Sequence, residues 1–321
     1  MYAEDNQGSS CTELASSDIT QSNNMSRRAT KTNLLLAFDA FGTLFAPRQP
    51  IVTQYGDVAR RHGLNGFTDD ELHASFRRAF KEESLEHPNY GKNVGMTAPQ
   101  WWSSIISRTF IPFLPKDTPL PNRLVPDLLH RFSSKDGYSV FLDTMSFFQK
   151  LRELKNSGND KEWPWKRTIV GVITNSDDRI PGILESFGLK IGSRRIGRRN
   201  ANLSIDESED INFVVLSYDV GFEKPDKRIF EGTEKLVEEM ITGSGVKLAD
   251  FDKVFVGDEP QKDALGASSA GWHGIYVNRS EQFWNDKLPS SRIIHHEGIS
   301  GSGKGSYEII RDFGELVRWR P

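Results

Sequence analysis

An aspartate that closes a run of apolar residues can cap a helix or act as a nucleophile, and Asp39, directly after Leu34-Leu-Leu-Ala-Phe38, is placed for either. Polar groups follow other apolar runs further along: Thr174-Asn175-Ser176, then Lys224, then Gly257-Asp258-Glu259, with Asp263 five residues beyond Asp258. Beside a divalent cation and a lysine, an aspartate stays ionised and can attack an electrophilic centre, splitting a reaction into formation and hydrolysis of a covalent intermediate. Asp39 suits that role, with Lys224 neutralising nucleophile and substrate together. A hard cation such as Mg²⁺ takes a few carboxylate oxygens plus waters and substrate oxygens, and Asp39, Asp258 and Asp263 could supply them. The Thr174 hydroxyl, Asn175 and nearby backbone N–H groups, at a strand-to-helix turn, would bind anionic substrate oxygens. Taken singly, each group has an ordinary explanation: Asp39 and Thr174-Asn175 as helix caps, Lys224-Pro225-Asp226 as a turn. Their order, all after strand-like runs, is what makes coincidence improbable.

Those runs must position the chemistry. Leu34–Phe38 reads as a buried parallel strand, and strand-like runs resume at Thr168–Thr174, Phe213–Ser217, Lys253–Val256 and Gly274–Val277, with helical stretches between the first three of these. This alternation predicts an α/β fold with a doubly wound, mostly parallel, Rossmann-like sheet, whose ligands bind beyond the carboxyl ends of the strands. From 51 to about 150 the character changes. Tyr55, Val58 and Ala59, then Leu72, Phe76 and Phe80, then Trp101, Trp102, Ile105 and Ile106 fall at helical spacings between turns at Gly63–Gly66 and His87–Gly91. The expected organisation is a disordered tail over 1–32, a core over 33–48 and 150–321, and a helical cap over 49–149.

The ordered set resembles the haloacid dehalogenase superfamily. Phe38-Asp39-Ala-Phe-Gly-Thr-Leu-Phe45 is similar to its first motif, Ile173-Thr174-Asn175-Ser176 to the second, Gly221 to Phe230 around Lys224 to the third, and Val256-Gly257-Asp258-Glu259 through Asp263 to Gly271 to the fourth. Within the insertion, Tyr90-Gly91, Trp101-Trp102 and Thr109-Phe110 resemble one branch of that superfamily. The resemblance implies a hydrolase with Asp39 and Lys224 catalytic, Phe41, Gly42, Thr43, Thr174 and Asn175 lining the substrate, and Mg²⁺ held by Asp39, the backbone of Phe41, Asp258, Glu259 and Asp263. The implied partner is a small anionic molecule, a phosphate ester above all. Phosphatases of the superfamily carry a second aspartate two residues after the nucleophile, which protonates the leaving group. Phe41 stands there and cannot transfer a proton, and such help is typically worth ~10²–10⁴-fold. Dehalogenases also lack that acid, yet they commonly lack the full acidic fourth motif. Their halide-cradling arginine has no clear match; Arg60 and Arg61 come nearest and read more simply as solvated helix charges. Three readings follow: a Mg²⁺-dependent phosphohydrolase, a dehalogenase-type hydrolase, and a noncatalytic protein that keeps an anion site.

Composition narrows the setting. Lys and Arg total 41 against 44 Asp and Glu, so a net charge of −3 over 321 residues gives no footprint for nucleic acid. No apolar run approaches the ~20 residues that span a bilayer. The single cysteine, Cys11, cannot form an internal disulfide, which favours a reducing compartment. The cytoplasm is expected, with the nucleus or, from Arg27 and Arg28 after Met25, the mitochondrion as alternatives. Gly298–Lys304 approaches a phosphate-binding loop but has Gly305 where Ser or Thr belongs, so a flexible linker before a terminal helix, Tyr307–Trp319, is expected. Arg194, Arg195, Arg198 and Arg199, followed by Asp206, Glu207, Glu209 and Asp210, read as an opposite-charge surface loop, and His295-His296 as a solvated pair.

Overall fold

The computed structural model describes residues 33–157, 161–198, 204–281, 284, 293–296 and 305–320. Along the chain the elements are β1 (Asn33–Phe38), β2 (Phe45–Pro47), α1 (Ile51–Arg61), α2 (Asp69–Glu86), α3 (Ala98–Phe110), α4 (Leu124–Arg131), β3 (Tyr138–Val140), α5 (Leu142–Ser157), β4 (Arg167–Thr174), α6 (Ile180–Ser186), β5 (Ile191–Arg194), β6 (Ile211–Leu216), α7 (Ser217–Val220), α8 (Lys227–Ile241), β7 (Phe251–Gly257), α9 (Gly266–Ser269), β8 (His273–Val277), β9 (Ile293–His296) and β10 (Gly305–Ile310). Among the described residues, eight strands form one sheet in the order β5-β6-β4-β1-β7-β8-β10-β9. All its pairings are parallel except that of β9 with β10. The expected doubly wound α/β fold is present.

The central strands are unbroken apolar runs because both of their faces are covered. Leu34, Leu36 and Phe38 of β1 join α5 and α6 in one cluster with Phe147, Phe148, Ile180 and Leu184, while Leu35 and Ala37 point the opposite way. There they meet Ile229, Phe230 and Val237 of α8. β1 is flanked by β4 on one side and β7 on the other, so the chain reverses its direction of winding beside β1. Such a switch point opens a crevice at the carboxyl ends of the strands.

Helices α1–α4 lie between β2 and β3, which pair antiparallel with Phe45 opposite Val140. Two of them begin on reciprocal caps: the Thr68 side chain accepts from Glu71 while Glu71 reaches back, and Thr97 and Gln100 do the same. The apolar positions noted in the sequence, Tyr55, Val58, Ala59, Leu72 and Ile106, fall in the cluster that also covers one face of the sheet. Helix α5 sets Phe147 at 5.7 Å and Phe148 at 5.9 Å, ring to ring, from Phe38 of β1. Among the described residues, no helix is long and apolar enough to cross a membrane.

Two expectations are corrected. The segment expected as a terminal helix forms β10 and then a short tight helix, Phe313–Arg318, entered through Asp312, whose side chain accepts from Gly314 N–H. The pairing of β10 with β8 extends the sheet, and Ile309 and Ile310 are buried there. The arginine loop is not simply solvated either: Arg194 closes β5 and pairs with Glu209 at 2.6 Å, and Arg195 pairs with Asp219 at 2.7 Å, both arginines being buried. Burial is tolerated because each guanidinium has a carboxylate partner. His295 and His296 fall in β9, with side chains outside the described residues, as are the 1–32 segment and Gly298–Lys304.

Gly274 in β8 lets the turn that follows β7 lie against the sheet, for a Cβ there would sit 2.0 Å from the Ala264 carbonyl oxygen. Gly274→Ala should destabilise the protein by about 1–3 kcal/mol, seen as a lowered urea midpoint with an unchanged slope. An unaltered midpoint would refute this account of the close approach.

Candidate active site

The strand ends bring the sequence candidates together. Asp39 leaves β1 with its N–H bonded to the Val256 carbonyl of β7 at 2.9 Å, which fixes the start of its side chain beside the end of that strand. Asp258 follows β7 directly, and Asp263 sits on a wide helical turn, Pro260–Leu265. Asp39, Asp258 and Asp263 each offer a carboxylate oxygen, all within 4.8 Å of one another. Lys224, in the loop between α7 and α8, is buried and places its Nζ 2.7 Å from both Asp39 Oδ1 and Asp263 Oδ1. Asn175, after β4, secures that lysine: its Oδ1 accepts from Lys224 N–H at 2.7 Å and its Nδ2 donates to Lys224 O at 2.9 Å.

Two expected contributors have different tasks. The Glu259 carboxylate turns to Lys262 at 2.9 Å and is half exposed, while its backbone N–H donates to Asp263 Oδ2 at 2.9 Å. It therefore orients one carboxylate of the cluster instead of adding its own. Thr43 donates its hydroxyl to Asp258 Oδ1 at 2.7 Å. Gly42 has φ of +78°, and a Cβ there would stand 2.0 Å from Asp258 Oδ2, so the loop after β1 can close on Asp258 only with glycine at this position. Thr174 is buried at the end of β4, and Phe41 packs its ring 4.9 Å from Phe45 and 5.5 Å from Tyr138.

The electrostatics are unbalanced. Burial alone would lower the Lys224 ammonium, but Asp39 and Asp263 outweigh it and hold its pKa above the usual value. The carboxylates respond in the opposite way. Burial raises Asp258, helped by the charge of Asp39 and opposed by the Thr43 bond. Burial likewise raises Asp263, against the pull of Lys224. Three carboxylates facing one ammonium lack positive charge, and their hard oxygens at this spacing suit Mg²⁺, which binds through a few carboxylates and completes its shell with water and substrate. The residues present fit that ion.

Sequence reasoning missed two arginines. Arg279, just beyond β8, donates to the Thr43 carbonyl at 2.9 Å and holds Asp143 of α5 with both Nε and Nη2, at 3.1 and 2.9 Å. It thereby ties the loop after β1 to the helix behind it. Arg179, after β4, grips Asp177 through Nε and Nη2 at 2.8 Å each and lies 4.3 Å over the Trp102 ring, whose N–H donates to Asp177 Oδ2 at 2.8 Å. A second tie joins the inserted helices to the sheet: Lys92 Nζ donates to the Tyr218 and Asp219 carbonyls at 2.8 and 3.0 Å. Isolated arginines in loops carry no periodic signal that could have flagged them. By contrast, Arg60 pairs with Asp57 and Asp69 and lies over Phe67, and Arg61 is exposed.

Residues 34–271 match the family model described as haloacid dehalogenase-like hydrolase, and the chain belongs to that family. Among its relatives, an uncharacterized hydrolase of Schizosaccharomyces pombe is 30% identical over 249 residues, covering 78% of this chain and 92% of its own. Haloacid dehalogenase-like hydrolase domain-containing protein 3 of Homo sapiens is 29% identical over 266 residues, covering 81% of this chain and 89% of its own, and that of Bos taurus is 29% identical over 265 residues. In structure the chain is similar to an L-2-haloacid dehalogenase, with a TM-score of 0.53 and 14% identity over 89% of this chain and 97% of the other. A 2-haloacid dehalogenase from Pseudomonas syringae gives 0.50 and 18% over the same shares. These structural likenesses show the fold.

Mg²⁺ at about a hundred times its Kd should stabilise the fold by roughly 2.7 kcal/mol, read as a higher midpoint in calorimetry, and Asp258→Asn should remove most of that gain. A midpoint indifferent to Mg²⁺ would argue against a cation site. Arg279→Ala strands Asp143 and should cost about 1–3 kcal/mol, with Arg279→Lys recovering only part because a lysine lacks the paired donors. Equal stability of native protein and alanine variant would exclude the clamp.

Proposed function

We propose that this chain is a phosphohydrolase that acts on small phosphate monoesters with Asp39 as nucleophile and Mg²⁺ as cofactor. The observation that carries the reading is the cluster of buried Asp39 and Asp263 with half-buried Asp258, which carries more negative charge than Lys224 balances. Displacement of a halide needs no such cluster. Mg²⁺, when bound, would offset the charge of the phosphoryl oxygens and hold them against the nucleophile.

The side chains supply the rest. Lys224 occupies Asp39 Oδ1, and Oδ2 has no hydrogen bond among the described residues, leaving it free to attack. The ammonium also meets the charge that gathers on the substrate. Residues 49–149 form the cap in this reading, with 33–48 and 150–321 as the core. Its ties through Trp102 and Lys92 hold it over the crevice, where it excludes water during attack.

Phe41 gives a second reading its support, since a side chain without a proton suits a halide leaving group or a site that binds without turnover. An activated phosphate separates them. Asp39→Asn should lower Mg²⁺-dependent phosphate release by at least ~10³-fold, whereas Phe41→Asp should raise turnover of esters with poor leaving groups by up to ~10²–10⁴-fold. Release of phosphate that is equal in native protein and Asp39→Asn would overturn the assignment.

A further inference from the structure

A cavity of about 250 Å³ lies between the inserted helices and the loops after β1 and β4, and Phe41, Tyr55, Trp102, Tyr138, Asn175 and Arg179 contribute to its wall. Phe41 and Asn175 place it beside the carboxylate cluster. Its walls are mostly aromatic, which suits a flat apolar ring more than a hydrated polyol. A cavity of about 150 Å³ accommodates benzene, so this one has room for a single ring with substituents and too little for a large polycyclic group.

The wall also carries polar atoms in search of partners. Tyr55 and Tyr138 are each 3% exposed, and neither hydroxyl makes a hydrogen bond among the described residues. Both residues line the cavity, so each hydroxyl, uncommitted within the protein, can donate to or accept from whatever enters it. Burial also keeps them protonated, with Tyr138 pushed up to about 12. The Arg179 guanidinium spends Nε and Nη2 on Asp177, and its Nη1 has only a long 3.5 Å contact with the Phe132 carbonyl. Because Asp177 cancels its charge, the cavity as a whole is near neutral. It offers donors to an uncharged oxygen substituent and has no surplus charge for an acid.

We propose that this cavity holds the organic half of the substrate, and that the substrate class is the aryl phosphates: one aromatic ring bearing a hydrogen-bonding substituent. The proposal rests on the phosphohydrolase reading and names its substrate. An aryl oxygen leaves without a proton donor, and Phe41, which cannot donate one, instead forms part of the wall for the ring. In the reaction a bond forms from an Asp39 oxygen to phosphorus while the bond from phosphorus to the aryl oxygen breaks. The phenolate departs with the electron pair. Water then attacks the phosphorus of the aspartyl phosphate, restoring the Asp39 carboxylate and giving inorganic phosphate, and the proton lost by that water ends on the phenolate.

The test uses the full chain with Mg²⁺ and two measurements. Calorimetry compares phenylphosphonate with methylphosphonate, and phosphate release compares phenyl, cyclohexyl and acetyl phosphates. Phenylphosphonate should bind about tenfold or more tightly than methylphosphonate, and Ile51→Trp, which adds an indole at the rim of the cavity, should bring that ratio toward one. Tyr55→Phe should weaken 4-hydroxyphenylphosphonate more than phenylphosphonate. Equal binding of the phenyl and methyl compounds by the native protein overturns the aryl assignment. If acetyl phosphate is then still cleaved and Asp39→Asn abolishes the cleavage, the phosphohydrolase reading survives alone. A phenyl preference with no phosphate released from any ester would instead retain the aryl site and overturn the phosphohydrolase reading.

Discussion

One buried ammonium sets the terms for the rest of the molecule. The Lys224 side chain is 2% exposed, and an ion that far from water costs several kcal/mol unless partners replace its hydration. Asp39 and Asp263 do so, each at 2.7 Å. They arise from the end of β1 and from the turn after β7, and Lys224 arises from the loop beyond α7, so three distant segments must meet within a hydrogen bond of one nitrogen. Parallel pairing of β1 with β7 in the register Phe38 opposite Val256 brings two of them to one edge. Asn175, from the end of β4, grips the main chain of the third. The sheet order is thus a condition for the ion cluster, and the cluster in turn penalises any shift in that order.

Neutralising the lysine leaves the cluster negative, and the surrounding structure does little to relieve it. Thr43 gives Asp258 one neutral hydrogen bond, and Glu259 gives Asp263 one backbone N–H. Neither supplies a full positive charge. Arg279, behind the loop, is committed to Asp143 and to main-chain carbonyls. Its role is mechanical, pinning the backbone at Thr43 while Gly42 passes close to Asp258. The local design keeps carboxylates close together in a buried place, which is unfavourable for folding alone and favourable for capturing a divalent cation.

What the sequence revealed, and what it concealed, follows from the range of the interactions. Leu34–Phe38 and Thr168–Thr174 are apolar on both faces, so their strand character and the polar residues closing them are written locally. β10 is different. Its pairing with β8 is established across a segment of some length, and Tyr307 to Trp319 alone carries a helical spacing that this distant pairing overrides. Arg194 and Arg195 read as surface charges because the sequence places Glu209 nearby without showing that the pair is buried, and Asp219 stands beyond the loop altogether. Glu259 sits between two members of the cluster in sequence, yet its carboxylate turns outward. Adjacency to a ligand does not fix the direction of a side chain. The role of Arg279 is tertiary, built from Asp143, and that of Arg179 becomes so through Trp102, since its pair with Asp177 two residues away announces no tie to the inserted helices.

Phe41 joins the chemistry of the edge to the shape of the cavity, and the magnitudes decide whether its presence is a loss. Removing a general acid forfeits about 10²–10⁴ in rate, or roughly 3–5 kcal/mol at 1.36 kcal/mol per tenfold. A phenol with pKa near ~10 differs from an alcohol, close to water at ~15.7, by nearly six units, or roughly 8 kcal/mol of anion stability. Even if only half of that difference is expressed in the transition state, it offsets the missing proton. The ring of Phe41 then returns something that an aspartate could not, an edge-on contact with Phe45 and Tyr138 that closes one wall of the cavity without placing another charge beside three carboxylates. A second aspartate there would add to a cluster already short of positive charge, whereas an aromatic side chain adds none.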